Sequence, residues 1–426
     1  MTDITRTKTL ILGGGISGIA FAHFTKDNDY LIVEKEMTLG GLCRSFHVGK
    51  SIFDFSGHFI HFKNHQMETY IRNLVEKHKT AEFRQFERKA GIFLKEGEQN
   101  KVIDYPFQAN IHQLDKDTFI KCLSDLYETT AVAHQAPKTF DDLARNTFGN
   151  GITDIFFKPY NEKLYRTPLA ELDANAMSRF IPKVNFGEVM SNIAKQRDFG
   201  YNSTFLYSPK SGIQGLVDAF VKDKELNFAL GETVLSIDVE SKTVQTDKRT
   251  IVYETLINTL PLPLFARLSS LASIPLKSVD VAVYNITYTK KVAKTGERAW
   301  IYFPGDSMFY RVGFYDFMTG VDKTSIYVEV SHVTGANEKV HSMDEILAEL
   351  IRVGVIEEDA VVEDSQSLYM SPAYAILEPS TAKDVAELQT YLNDNDIYIT
   401  GRYGKWQYQS IEDNIVDAMN LATNLQ

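Results

Sequence analysis

Cysteine is nearly missing from this chain: only Cys43 and Cys122 occur in 426 residues. Two thiols far apart in sequence build no disulfide framework, which fits a reducing cytoplasm as the expected compartment. Basic residues are also in deficit, with 45 Lys and Arg against 56 Asp and Glu and a net charge of −11. That balance argues against a general nucleic-acid or anionic-membrane surface, so an anionic ligand requires a local basic pocket. No apolar run approaches the roughly 20 residues that span a bilayer, and no membrane insertion is expected. The opening MTDITRTK runs straight into an apolar strand with no signal-peptide pattern. Internal repeats and low-complexity tracts are missing too. The ten histidines show no metal-ligand spacing. His58-x-x-His61 comes nearest, and no metal is expected.

What is present points to a large globular core. Hydrophobic residues at 44% and charged residues at 24% are ordinary for a folded protein, and the length allows two or three domains. The 27 Phe and 21 Tyr supply both core and stacking surfaces.

The densest information lies between Leu10 and Arg44. An apolar strand, Leu10–Leu12, feeds a turn with Gly13, Gly15 and Gly18 at GxGxxG spacing. An apolar-faced helix and a second strand, Leu31–Val33, follow, ending at Glu34. Gly13 permits the tight turn, Gly15 lets backbone approach a pyrophosphate, and Gly18 lets helix pack on strand. The helix N-terminus offers free N–H groups to phosphates, and Glu34 can accept from a ribose diol. Gly40-Gly41-Leu42-Cys43-Arg44 then supplies a second glycine approach and an arginine. This arrangement resembles the FAD-binding start of the glutathione-reductase-like flavoproteins, in particular the amine-oxidase branch, and FAD is the cofactor it implies.

The patterning beyond this start is interrupted. A turn at Tyr207–Gly212 leads into an amphipathic helix, Gln214–Leu226, then short β-like runs and the apolar strand Thr255–Leu260. A last strand, turn and helix occupy 396–426, with Gly401–Gly404 read as a glycine turn and Ile411, Ile415 and Met419 on one helix face. Segments 119–131, 139–149 and 152–165 read as helices, while 275–380 is β-rich around one helix at Met343–Val353. The expected fold is α/β: a discontinuous Rossmann-like FAD-binding domain (1–80, 205–265, 385–426), a helical insert (107–204) and an antiparallel-sheet domain (81–106, 266–384).

Several scattered motifs carry a narrower resemblance, to the UDP-galactopyranose mutases and especially their eukaryotic-type members. Phe55-Ser56-Gly57-His58 is similar to that family's Gly-Gly-His loop, whose backbone sits beside flavin N5. Ser56 stands in place of the first glycine, which leaves the loop less free to flip. Tyr105-Pro106-Phe107-Gln108 resembles the segment that cradles uracil, with Tyr105 and Gln108 reading the base. Gln offers a donor and an acceptor to the mixed uracil edge. Tyr160, Asn161 and Tyr165 match a helix on the uridine side, although the family usually has Trp where Tyr165 stands. Arg179 and Arg311 are implied on the diphosphate, joined by Tyr302, Tyr374 and Tyr408. Strand alternation puts Phe309 and Arg311 on one face. An arginine on an apolar-rich face needs an anion or an acid partner.

Gly401-Arg402-Tyr403-Gly404-Lys405-Trp406-Gln407-Tyr408 matches the family's closing motif, with Arg402 implied on the FAD pyrophosphate. The resemblance also carries Ser17, Lys35, Gly41, Leu42, Arg44, Gly57, His58, Val234 (through its backbone), Gly401, Asp413 and Asn414 to the cofactor. His58, Arg179 and Arg311 become the implied catalytic residues. The chemistry implied is ring interconversion of UDP-galactopyranose and UDP-galactofuranose, or a related UDP-hexose, through a covalent sugar adduct at N5 of reduced FAD. No net redox change occurs, and NADPH or NADH would keep the flavin reduced. Two other readings share parts of this pattern. An FAD-dependent oxidase or desaturase of the amine-oxidase superfamily would keep the cofactor residues, and a non-catalytic nucleotide-sugar binder would keep the cage. Oligomeric state is not legible.

Overall fold

A computed structural model describes residues 4–96, 99–132, 134–176, 181–194, 203–271, 274–293, 297–336 and 338–425. Two seven-stranded sheets organise it. The first is centred on the fully apolar strand end Leu10–Leu12, which pairs in parallel with Tyr30–Glu34 on one side and Thr250–Asn258 on the other. Phe228–Leu230 extends one edge, and the meander Val234–Asp238, Thr243–Thr246 extends the other. Ile397–Ile399 joins in parallel beside Thr250–Asn258. Near-continuous apolar strands such as these are buried on both faces. Ile19, Phe220 and Ile415 pack on one face, and Leu256, Phe265 and Leu392 on the other. The chain therefore returns to one sheet from three distant segments, which is the α/β architecture anticipated from its sequence.

The second sheet runs in the order Val362–Ile376, Lys277–Tyr288, Ser325–Val333, Arg311–Phe314, Trp300–Tyr302, Ala90–Glu96, Gln99–Asp104. Every pairing is antiparallel except that of Trp300–Tyr302 with Ala90–Glu96, which is parallel. Its two faces differ in kind. One carries Ile301, Val312, Ile326 and Val328 into an apolar cluster closed by the helix Met343–Arg352. The other carries Trp300, Tyr302, Arg311, Tyr327 and Glu329, and it faces the hairpin Ser45–Val48, Ser51–Asp54 and the helices. Those helices are Lys116–Ala131, Phe140–Ile152 and Lys158–Tyr165, with a π-helical turn, Thr153–Phe157, between the last two.

Three local expectations are corrected. The helix read as Gln214–Leu226 ends at Asp223. Gly401–Gly404 forms a helical turn instead of an open glycine turn. Phe309 does not share a face with Arg311, because the strand begins only at Arg311. Its ring instead meets Phe303 edge-on at 4.8 Å in the apolar cluster of the opposite face.

Candidate active site

The glycine turn after the first strand is shaped by close backbone packing. Gly13 has φ +100°, a conformation side chains rarely adopt. A Cβ on Gly18 would strike the carbonyl oxygen of Gly13, so the helix Ile16–Phe24 sits tight against the turn. Gly15 differs: the nearest atom to a Cβ there is the Cα of Gly41 at 3.9 Å. The two glycine segments lie side by side, the Gly40 amide donating to the Gly14 carbonyl at 2.8 Å. No side chain caps the helix at Gly15, so its first amides remain for a ligand.

Glu34 lies beneath this turn and is buried. Its carboxylate accepts from the Gly14 amide at 2.7 Å and the Glu36 amide at 2.9 Å. A carboxylate has about four lone-pair sites, so a ribose diol could still be accepted. The amides of Gly231 and Glu232 donate to the carbonyls of Glu36 and Glu34 at 3.0 Å each, which brings the meander carrying Val234 up to the same corner. The Lys35 side chain projects into solvent, leaving its backbone as the part near the turn. Arg44 folds back, donating to the Gly41 carbonyl at 2.8 Å and lying over the Phe55 ring at 5.1 Å. Ser17 donates to Asn414 Oδ1 at 2.9 Å, and the same oxygen accepts the Arg402 amide at 2.8 Å. Asp413 closes a capping box with Ser410 at the start of the helix Ile411–Asn424. The first and last segments of the chain are thereby locked together, with a Cβ on Gly401 excluded by Ser17.

A cleft opens between this assembly and the polar face of the second sheet. Leu42, Gly57, His58, Tyr105, Tyr160, Asn161, Tyr302, Arg311, Tyr374, Arg402 and Tyr408 all line it. Tyr374 and Tyr408 stack at 6.0 Å, and the Arg402 guanidinium lies over both rings, 4.9 and 4.4 Å from their centroids. Tyr302 packs between Tyr105 and Tyr160, with centroids 5.4 and 5.1 Å away.

The two arginines are in different electrostatic states. Arg311 lies directly opposite Glu329 across the strand pair. Its Nε donates to Glu329 Oε2, and its Nη2 donates to Glu329 Oε1 at 2.8 Å. Burial works against the charge, but fully buried Glu329 reverses that and holds the guanidinium well above its ordinary pKa. Arg402 has no carboxylate within ion-pair distance among the described residues; its Nη2 donates to the Ala373 carbonyl at 3.2 Å. Arg402 is thus the unneutralised cation here. Burial, then Arg402 and Arg311, push His58 down to about 4, so its ring is neutral near pH 7. Its Nδ1 is buried without a partner, as are Trp300 Nε1, Tyr310 Oη and Tyr327 Oη. Burial raises Tyr302 and Tyr374, which keeps their hydroxyls protonated as donors.

Not every implied residue reaches the cleft. Phe107 is a core residue packed on Phe156 at 5.3 Å. Tyr165 is buried behind the wall, edge-on to Tyr374 at 6.1 Å. Gln108 is also buried, and its Nε2 is engaged by the Pro182 carbonyl at 2.6 Å. Gln108 Oε1 is left unpartnered, and one of the two Nε2 hydrogens expected to read a base edge is taken. Asn161 lines the cleft while donating to the Phe157 carbonyl at 2.6 Å. Arg179 lies outside the described residues. Sequence reasoning missed Glu329 and the position of Trp300 on the wall. An acid at the centre of the apolar run SIYVEVSHV was the available signal, since such a group demands a cation. No group of three or more potential metal ligands is found among the described residues, and no helix among them is long and apolar enough to cross a membrane.

The comparisons with known proteins agree with this geometry at the level of fold. Residues 11–74 match the family described as an NAD(P)-binding Rossmann-like domain. Over 98% of this chain and 93% of the other, the structure is similar to reduced UDP-galactopyranose mutase, with a TM-score of 0.87 at 21% identity. A putative protoporphyrinogen oxidase from Exiguobacterium sp. 255-15 is similar over 100% of this chain and 99% of that one, with a TM-score of 0.74 at 16% identity. A putrescine oxidase double mutant gives 0.68 at 12% identity over 99% of both chains. The chain therefore has the fold shared by UDP-galactopyranose mutase and these two oxidases.

Proposed function

We propose that this chain is an FAD-dependent mutase that interconverts the pyranose and furanose forms of UDP-galactose, or of a related UDP-hexose, without net redox change. One observation carries the reading: the loop Gly57–His58, Arg311, Arg402 and the hydroxyl-bearing rings of Tyr302, Tyr374 and Tyr408 line one cleft beside the glycine turn. The likeness to UDP-galactopyranose mutase over nearly the whole chain supports it.

The residues present fit the cofactor. Gly13, Gly15, Ser17 and Gly18 leave an uncapped helix start that backbone can offer to a pyrophosphate. Glu34 and the backbone of Lys35 stand at the ribose side, with Val234 beyond. Gly41, Leu42, Arg44, Gly401, Arg402, Asp413 and Asn414 complete the cradle. When bound and reduced, by NADPH or NADH, the flavin would supply a nucleophile for the anomeric carbon. The rest of the work belongs to side chains. Arg311, Arg402 and Arg179 balance the charge of the departing diphosphate, and Tyr302, Tyr374 and Tyr408 donate to its oxygens. Tyr105, Tyr160 and Asn161 orient the nucleoside, with Phe107, Gln108 and Tyr165 supporting that wall from behind. Neutral His58 adds no competing charge at the loop.

The deciding experiment uses flavin-loaded protein reduced with dithionite. UDP-galactofuranose should convert mainly to UDP-galactopyranose on anion-exchange chromatography, and oxidised protein should be inert. Peroxide release with an amine substrate, without ring conversion, would identify an oxidase instead.

A further inference from the structure

Ser56 connects two parts of the cleft that no backbone hydrogen bond joins. Its hydroxyl donates to Glu329 Oε1, the same oxygen that accepts Arg311 Nη2, and it lies 3.3 Å from that Nη2. The Ser56 carbonyl accepts from Tyr315 Oη at 3.0 Å and from the His58 amide at 2.8 Å. Gly57 rests on the Tyr327 hydroxyl, where a Cβ would collide. Loop and arginine are therefore held by one fully buried carboxylate.

We infer that Glu329 and Ser56 form a clamp that positions Arg311 and ties it to the loop carrying His58. The pair occupies Nε and Nη2 of the guanidinium, while Nη1 makes no hydrogen bond among the described residues. A planar fork held along one edge keeps its plane, so a ligand meets an oriented donor at Nη1. A glycine at 56 would leave the Arg311–Glu329 pair in place but remove its link to the loop. The clamp makes Glu329 a positioning residue, and its effect on substrate rests on the proposal that Arg311 receives the diphosphate.

The test compares wild-type protein with Ser56→Ala, Ser56→Thr, Glu329→Gln and the Ser56→Ala/Glu329→Gln double variant. Hydrogen–deuterium exchange of the peptide covering 54–60 requires neither activity nor ligand. Losing one buried hydrogen bond should speed exchange about tenfold in each of Ser56→Ala and Glu329→Gln. The double variant should be no faster, because both changes break one clamp, and Ser56→Thr should restore protection. On flavin-loaded protein, Glu329→Gln should lower turnover about tenfold with a smaller effect on UDP binding, since losing a nearby carboxylate favours an anion and offsets the lost orientation of Arg311. Unchanged loop exchange in either single variant, or additive effects, would overturn the clamp. A Glu329→Gln protein that loses UDP affinity as much as turnover would overturn the positioning role. If wild-type protein neither binds UDP nor turns over, the mutase reading fails, while the exchange data still judge the clamp. Should Glu329→Gln not fold, Ser56→Ala and Ser56→Thr decide the matter.

Discussion

The proposed cofactor cradle and the proposed substrate cleft are two ways of building for an anionic ligand, and they differ in what is left unsatisfied. Around the glycine turn, the polar side chains are already engaged. Glu34 holds two amides, Asn414 holds Ser17 and the Arg402 amide, and Arg44 holds Gly41. What remains for a ligand is backbone, exposed where glycines omit a Cβ. Across the cleft the balance is reversed. Trp300 Nε1 and His58 Nδ1 are buried without partners on residues that line the cleft, and Arg402 has no acid beside it among the described residues. Unpaired buried groups cost stability, so they persist where a ligand would satisfy them. A backbone site needs only a short stretch of the right residues, whereas a side-chain cage needs residues brought from several elements.

The sharpest way to break this contrast is to treat the two arginines alike. Arg311→Ala strands fully buried Glu329 and should destabilise the protein by about 3–5 kcal/mol in chemical denaturation. Arg402→Met strands no carboxylate, and its loss should cost under about 1 kcal/mol while weakening binding of UDP or FAD. Equal losses would mean that both arginines are structural.

Asp54 lies at the junction of the two regions, and its effect should be somewhat smaller. Burial pushes it up to about 7, despite hydrogen bonds from Ser45 Oγ (2.6 Å) and the Ile213 amide (3.2 Å). Between about pH 4 and 7 the folded protein then carries a proton that the unfolded chain has released, so this group makes stability fall as pH rises. His58 and His61, both lowered to about 4 chiefly by burial, act in the opposite direction up to roughly pH 6.5. Asp54→Asn should remove the falling contribution, on the order of 3 kcal/mol, and steepen the rise of stability with pH. An unaltered pH slope in urea titrations would show that Asp54 is ionised in the folded protein.

Within the cradle, two alanines should separate packing from ligand space. Gly18→Ala drives a Cβ into backbone and should cost about 1–3 kcal/mol. Gly15→Ala meets only ordinary contact, so the melting temperature of flavin-free protein should barely change. Flavin retention, read as the ratio of visible to protein absorbance, should nevertheless drop sharply. Full retention in Gly15→Ala would remove that glycine from the cofactor site.

The α/β architecture was legible because strand–glycine turn–helix–strand is a local pattern, and because fully buried strands are apolar throughout. The helices at 119–131, 139–149 and 152–165 were legible for a similar reason. At the cleft, the need of Arg311 for a partner was legible but the partner was not. Sequence reasoning offered a ligand phosphate, and the fold supplied Glu329, set opposite it by strand register. Phe309 shows the same limit: alternation was extended two residues beyond where the strand begins. Gln108 was expected to offer a base both a donor and an acceptor, yet one of its two Nε2 hydrogens goes to the Pro182 carbonyl.

Residue order alone settled the glycine turn, the acid at the end of the second strand and the alternation of apolar runs, since each depends on neighbours within a few positions. Tertiary structure decided which charges are neutralised. Arg311 and Arg402 are the same residue type in equally suggestive motifs, yet one meets a buried carboxylate and the other a pair of tyrosine rings. Charge pairing falls off over a few ångströms. Strand register inside the second sheet sets the first of those distances, and the packing of the Gly401–Gly404 turn against Tyr374 and Tyr408 sets the second.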